Sequence, residues 1–293
     1  MNKLLLFYII ISLPTVSFAL CIDYRTQVKQ ATQDKNFDQL KDLLPILKKE
    51  GCASNYIDAL QNKLAEIIAV KADELMMSGQ LEQARSLLQR SNIINWETQV
   101  IRADIAAFEG RWKESAQLYN HALDLINNPQ TTLQAPDSET IQKIFQLASE
   151  AQILAGTLDG SRTTEHGIML DDIRGFKPDK LLIPIKFEFN KSILSTDGKQ
   201  SAQQLIKYIN KHNFNKITLI GHTDTKGGDA INVKISMRRA LALKNYLTKF
   251  GVSIPIIAIG HGKQNPLILD YVSRRYTETE IDALNRRVEI ITE

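Results

Sequence analysis

The side chains best suited to chemistry in this sequence form two segments of its C-terminal half. The first reads Gly-His-Thr-Asp over residues 221–224 and is followed by Asn232 and Arg239. The second reads Asn-Arg-Arg-Val-Glu over residues 285–289. Together they supply carboxylate, guanidinium and amide groups, which bind a ligand that carries both a positive and a negative charge. The pattern therefore predicts a binding site for a zwitterion.

The elements around these side chains predict where they lie. Residues 216–220 are short and β-rich and end at a glycine, so Asp224 is expected in the turn beyond the carboxyl end of a strand. An amphipathic helix is predicted from residue 229 to about 250. Its inward stripe, at steps of four, is Ile235, Arg239, Leu243 and Leu247. Because an unpaired buried charge costs several kcal/mol, we expect Arg239 to meet a carboxylate.

Other chemistries find little support in the sequence. The five histidines show no metal-binding spacing, and Lys226 precedes its glycines instead of following them, unlike a phosphate-binding loop. We therefore expect no metal and no cofactor. We expect His222 to support the turn that carries Asp224, called the ligand turn below. The structural alternative assigns Asp224 to a helix cap and Arg239 to a surface ion pair. Their placement together favours a ligand site.

Residues 181–293 resemble an OmpA-like peptidoglycan-binding domain. The resemblance rests on an opening strand over residues 185–191, the Gly-His-Thr-Asp turn, Asn232, a serine followed by Arg239-Ala240, and the closing segment 285–289. It implies an α/β sandwich of order β-α-β-α-β-(α)-β. The strands are expected near residues 182–189, 216–221, 255–260 and 286–292.

The same resemblance implies a ligand and the residues that bind it. Asp224 is expected to accept from the ammonium group of diaminopimelate in the peptidoglycan stem peptide, and Arg239 to clamp its carboxylate. The full predicted ligand-binding set is Asp224, Arg239, Thr223, Asn232, Arg286 and Glu188. Two features depart from the family pattern. The loop 266–285 is longer than usual and lacks a Glu-Gly-Arg step, and Glu188 stands where Asp or Asn is common.

The N-terminus predicts export. A positive start is followed by ten apolar residues, 4–13, and by a small-x-small ending at Ala19. This pattern is typical of a signal peptide over residues 1–19, which is too short to span a membrane. The mature chain then begins Leu20-Cys21. Acylation of Cys21 is the alternative, disfavoured because Phe18 and Leu20 replace the small residues of a lipobox.

Cys21 and Cys52 are the only cysteines of the chain. An exported protein meets an oxidising compartment, so a disulfide between them is predicted, with two unpaired thiols as the alternative. Closing a loop of this size stabilises the fold by about 3 to 4 kcal/mol in the chain-entropy model.

The N-terminal half is predicted to be all-α over residues 20–155. Segments 72–91 and 103–122 share a small residue, a turn glycine and a following small-large pattern, with the glycines 31 positions apart. They resemble tetratricopeptide repeats, whose usual period is about 34 residues, and an ordinary helical bundle is the alternative. Such repeats bind other proteins. Residues 156–180 are polar and glycine-dotted and are predicted to be an interdomain linker.

These features predict a non-catalytic protein of the Gram-negative periplasm, associated with the cell wall or outer membrane. It would bind diaminopimelate-type peptidoglycan and hold an envelope protein partner through its helical half. A wall-anchoring subunit of a larger secretion or motility assembly is the alternative. A peptidoglycan hydrolase is disfavoured because no zinc triad, activated nucleophile or carboxylate pair is evident. The net charge of +3 gives no reason to expect nucleic-acid binding.

Overall fold

The computed structural model of the protein describes residues 21, 24–156, 173–178, 180–188, 191–269 and 276–293. The described part of the N-terminal half is helical. Its elements are α1 (Arg25–Gln33), α2 (Phe37–Lys49), α3 (Ser54–Met77), α4 (Leu81–Ser91), α5 (Trp96–Phe108), α6 (Trp112–Asn127) and α7 (Ser138–Ala155). The predicted all-α character of this half is confirmed, whereas the predicted signal peptide lies outside the described residues.

Two helical hairpins occupy the segments that resemble repeats. Gly79 joins α3 to α4 and Gly110 joins α5 to α6, and both glycines have a positive φ that disfavours other residues. Each hairpin buries its facing apolar side chains, as Tyr119 of α6 does. The hairpins lie where the pattern predicted them, and their assignment as tetratricopeptide repeats stays a prediction.

Cys21 and Cys52 form a disulfide with their Cα atoms 5.8 Å apart, as predicted. The bond ties the start of the described chain to the residues just before α3. A disulfide-bonded Cys21 has no thiol left for acylation. Among the helices that the structure describes, none is both long and apolar enough to cross a membrane.

The C-terminal half is a mixed α/β domain. It comprises β1 (Leu181–Ile183), α8 (Thr196–Lys211), β2 (Ile217–His222), α9 (Asp229–Lys249), β3 (Ile256–Gly262), α10 (Glu278–Asn285) and β4 (Val288–Thr292). The sheet order is β1-β4-β2-β3, with β2 and β3 parallel and the other pairs antiparallel. The predicted element order is confirmed. The first strand is shorter than predicted because Pro184 follows it and has no N–H for the ladder.

Helix α9 lies directly on the backbone of β2 and β3. A Cβ atom at Gly221 would lie 2.3 Å from the carbonyl oxygen of Ser236, and one at Gly260 would lie 2.4 Å from the backbone nitrogen of Met237. Only glycine permits so close an approach. The glycine of the Gly-His-Thr-Asp segment therefore sets the distance between the ligand turn and α9.

The buried face of α9 differs from the predicted stripe. The helix buries Asn232, Ser236, Ala240, Leu243 and Leu247. Ile235 and Arg239, which were predicted to point inward, are only half-buried at the edge of this face. Steps of four residues drift around a helix of 3.6 residues per turn, so a stripe drawn at constant steps of four leaves the buried face.

The helical half packs against the α/β domain. The apolar core is continuous from α6 and α7 through Ile173 to the sheet. Near α10, the Tyr276 hydroxyl donates to Glu150 of α7 at 2.9 Å, and Gln146 of α7 donates to the carbonyl of Ile268 at 3.3 Å. The predicted linker 156–180 is described only at residues 156, 173–178 and 180, so the domain boundaries stay a prediction.

Candidate functional site

The turn that carries Asp224 is held by hydrogen bonds from three directions. The Thr223 backbone N–H donates to the carbonyl of Gly262 at the end of β3 at 2.9 Å. The Asn232 side chain of α9 donates to the carbonyl of Lys226 at 2.8 Å. The Lys226 N–H in turn donates to Asp224 Oδ1 at 3.2 Å. The carboxylate of Asp224 is therefore fixed before any ligand arrives.

The carboxylate of Asp224 pairs with Arg286. Arg286 Nη1 donates to Asp224 Oδ2 at 2.8 Å, and both side chains keep partial solvent access. Arg286 is the C-cap residue of α10, directly before the Arg287 that leads into β4. The acid of the turn is thus paired with a guanidinium of the same chain.

Arg239 has the opposite character. No carboxylate among the described residues lies within ion-pair distance of it, and its Nε atom is buried without a hydrogen-bond partner. The expected carboxylate partner is therefore absent from the part of the chain that the structure describes. The guanidinium carbon lies 5.4 Å from the centre of the Phe187 ring, a cation–π distance. Burial lowers the pKa of Arg239, nearby Arg286 lowers it further, and Asp224 opposes both.

A cavity of about 360 Å³ opens in front of Arg239. Among the described residues, its charged wall carries three arginines and one lysine against a single carboxylate, namely Lys186, Asp197, Arg239, Arg286 and Arg287. Ile153 of α7 lines the same cavity, so the helical half contributes to its wall. Asp224 does not line it and reaches the wall only through Arg286. The excess of cations suits an anionic group of a ligand.

Besides Asp224, the structure places three further predicted site residues away from the cavity wall. Glu188 pairs with Lys191 at 2.8 Å, and this contact lowers the pKa of Glu188. Thr223 and Asn232 are buried and hold the ligand turn. Their direct contact with a ligand stays a prediction. The structure does bring Asp224, Arg239 and Arg286 together.

A buried polar cluster lies beneath the turn. His222 Nε2 is 3.5 Å from Glu289 Oε1, and Arg287 Nε donates to the same oxygen at 3.0 Å. Burial would raise the pKa of Glu289, but His222 and Arg287 outweigh it and hold this pKa well below its usual range. Burial lowers the pKa of His222, and the contact with Glu289 opposes this shift. Arg287 and Glu289 stand two positions apart, a spacing that puts both side chains on one face of an extended segment, but the sequence analysis did not predict their pairing.

Among the described residues, no group of three or more His, Cys, Asp or Glu side chains is arranged to hold a metal ion. The molecule is a helical N-terminal half joined to a mixed α/β domain whose sheet edge carries an arginine-rich cavity.

Comparison with known proteins assigns that domain. Residues 186–271 match the OmpA family, so the chain carries an OmpA family domain. Outer membrane protein A of Bordetella avium is 37% identical over 105 residues, which cover 36% of this chain and 51% of that protein. Outer membrane porin F of Pseudomonas fluorescens is 35% identical over 112 residues, which cover 38% of this chain and 32% of that protein. The chain thus spans about half or less of the length of these curated relatives.

A solved structure, the peptidoglycan-associated lipoprotein from Burkholderia pseudomallei, aligns with a TM-score of 0.32 and 25% identity. The alignment covers 37% of this chain and 88% of that one. At this TM-score the likeness supports no argument about the site, which rests on the geometry above.

Proposed function

We propose that the C-terminal domain binds the diaminopimelate stem peptide of peptidoglycan without catalysing a reaction on it. The observation that carries the proposal is Arg239, a half-buried guanidinium without a carboxylate partner among the described residues. It faces a cation-rich cavity beside the Asp224–Arg286 ion pair, within an OmpA family domain. A carboxylate of the ligand supplies the missing partner of Arg239.

Binding proceeds as an exchange of charges. The ammonium group of the ligand takes the place of Arg286 at Asp224, because a carboxylate accepts from either cation. Arg286 then turns with Arg239 towards the ligand carboxylate, which two guanidinium groups hold with parallel hydrogen bonds. The ligand replaces one internal ion pair with two intermolecular contacts, and its carboxylate is shared by the two guanidinium groups.

The same geometry argues against a hydrolase. Asp224 is engaged by Arg286, and Asp197, the one carboxylate on the cavity wall, pairs with Lys186 at 3.5 Å. Each of these two carboxylates is held by a cation, so neither is free to transfer a proton to or from a ligand. A binding role remains, in a protein of the periplasm associated with the cell wall or outer membrane.

The experiment measures binding of the mature protein to a soluble stem peptide that contains diaminopimelate. Asp224→Ala is expected to weaken binding at least tenfold, because Asp224 would no longer hold the ammonium group. Asp229→Ala is the matched control, since Asp229 pairs with Lys263 at 3.0 Å on the surface of the same domain. It should bind within twofold of the unaltered protein. Equal binding of a peptide with lysine in place of diaminopimelate would contradict the proposal.

We also infer that the helical half holds an envelope protein partner. Met77 and Phe108 stand at equivalent positions of the two hairpins, each two residues before the turn glycine, and their exposed fractions are 74% and 53%. Repeated exposed apolar side chains at one edge are typical of a protein-binding surface.

A photo-crosslinking residue at position 108 tests this inference in cells, with the exposed position 113 as control. Capture of one envelope protein at position 108 alone supports a single partner. A ladder of several proteins favours the alternative, a wall-anchoring subunit of a larger secretion or motility assembly. Equal capture at both positions would contradict a specific surface.

A further inference from the structure

Helix α10 connects the helical half to the ligand turn. Its N-terminal end contacts α6 and α7, and its C-terminal end carries Arg286, the partner of Asp224. Between them, Asp282 pairs with Lys226 of the turn at 2.6 Å. An eight-residue helix is marginal by itself and takes its position from its packing. The contacts at its start therefore decide where its end lies.

The start of α10 is fixed by one carboxylate that serves two partners. Glu280 Oε2 accepts from the backbone N–H and the hydroxyl of Thr277, which completes a capping box. Glu280 Oε1 accepts from the indole N–H of Trp112 at 2.7 Å. The cap that orders α10 is thus the same group that joins it to the helical half.

A second contact lies directly beside the first. The Tyr276 ring packs against Trp112 with 5.2 Å between ring centres, and the Tyr276 hydroxyl donates to the buried Glu150 of α7. Leu284 of α10 is fully buried in the same apolar cluster. Neither Trp112 nor Tyr276 lines the cavity beside Arg239. The hydrogen-bonded route from these residues to Arg286 runs through α10.

We propose that the helical half positions Arg286 for the charge exchange through α10, and that Trp112 and Tyr276 are positioning residues of the stem-peptide site. This inference rests on the proposed function. Arg286 must leave Asp224 and turn to the ligand carboxylate, and a helix held at its start limits the positions that Arg286 samples. Loosening that hold adds an ordering cost to binding. A partner that pulls on the helical half would change affinity for the wall by the same route.

The test measures affinity of the full mature protein for the soluble diaminopimelate stem peptide by titration calorimetry. Trp112→Phe removes the indole N–H and keeps an aromatic ring, and Tyr276→Phe removes only the hydroxyl. Each is expected to weaken binding about fivefold, within the usual range of coupling between sites. Tyr119→Phe is the matched control, because it also deletes a buried hydroxyl bond, the one to Asp104 within the helical half. Its affinity should stay within twofold.

A double-mutant cycle separates positioning from general loss of structure. In an Arg286→Gln background, Trp112→Phe should no longer change affinity, because the group through which it acts is gone. Faster hydrogen exchange confined to residues 278–286 in Trp112→Phe is expected as well. Unchanged affinity in both Trp112→Phe and Tyr276→Phe would overturn the inference, and so would an equal fivefold loss in the Arg286→Gln background.

The outcomes also separate this inference from the function on which it rests. If Asp224→Ala abolishes binding while Trp112→Phe and Tyr276→Phe bind normally, the stem-peptide site stands and the role of α10 is refuted. If the unaltered protein binds no stem peptide, the proposed function and the role of α10 are both refuted.

Discussion

Replacing Arg239 with methionine is expected to weaken stem-peptide binding strongly and, at the same time, to stabilise the protein in the absence of stem peptide. The buried Nε atom of Arg239 has no partner, and no carboxylate of the described residues pairs with its charge. Exchanging an uncompensated buried charge for an apolar side chain of similar length stabilises a fold. Function and stability therefore oppose each other at this position.

The size of each effect follows from the surroundings of Arg239. The guanidinium is half-buried, so removing its charge recovers only part of a full desolvation cost, and the lost stacking on Phe187 offsets roughly 0.5 to 1 kcal/mol. A net gain of about 1 kcal/mol remains, which raises Tm by about 2 °C for a chain of this size. Binding loses a bidentate carboxylate contact of at least about 2 kcal/mol, or roughly 30-fold in affinity.

Thermal unfolding and calorimetric titration of Arg239→Met check the two effects on the same sample. Arg239→Lys is the informative companion, since it keeps the charge but loses the planar pair of donors, and it should bind weakly without the gain in Tm. A lower Tm in Arg239→Met would show that the guanidinium is paired in solution. Unchanged binding would refute the role of Arg239 as the carboxylate clamp.

Two further predictions concern the fold that supports the site. Gly221→Ala should destabilise the protein by about 2 kcal/mol in urea unfolding, because the added Cβ meets the backbone of α9 at 2.3 Å, whereas Gly228→Ala, with nothing within 4 Å, should cost only about 0.5 kcal/mol. Burial raises the pKa of Glu97 of α5 to about 7, so the folded state holds this proton more tightly than the unfolded chain. Stability should therefore fall as the pH rises from 4.5 through 7, by roughly 1 kcal/mol after allowance for partial exposure, and Glu97→Gln should remove this dependence.

Each of these has a clear contrary result. Equal costs for Gly221→Ala and Gly228→Ala would mean that α9 does not rest on the β2 backbone. A pH profile of unfolding that is the same for Glu97→Gln and the unaltered protein would place the carboxylate of Glu97 in water.

Local sequence patterns predicted the elements of this protein well. The succession of strands and helices in the C-terminal half follows from alternation, periodicity and glycine positions, and the two N-terminal hairpins follow from the spacing of Gly79 and Gly110. The cysteine pair predicted the disulfide that the structure contains. The helices, strands and turns depend on residues that are close in sequence. The disulfide was predictable because two cysteines allow only one pairing within the chain.

Site residues were predicted less completely, for reasons that particular side chains show. The buried stripe of α9 was predicted to include Ile235 and Arg239. With 3.6 residues per turn, both lie at the edge of the buried face. Glu188 was assigned to the ligand through its place in the opening strand; in the structure it pairs with Lys191, three positions further on, and its contact with a ligand stays a prediction. The pairing of Glu289 with Arg287 was not predicted, because only the fold shows that the face they share is buried.

The sequence by itself determined which groups the candidate site contains, since Asp224, Arg239 and Arg286 belong to short motifs that are recognisable from neighbouring residues alone. Only the tertiary structure decided how they pair. Arg286 reaches Asp224 across 62 positions and Trp112 reaches Glu280 across 168, and no periodicity extends over such distances. Which charge meets which is fixed by how helices pack on the sheet, because Coulomb energy and hydrogen bonds depend on distances that only the assembled fold creates.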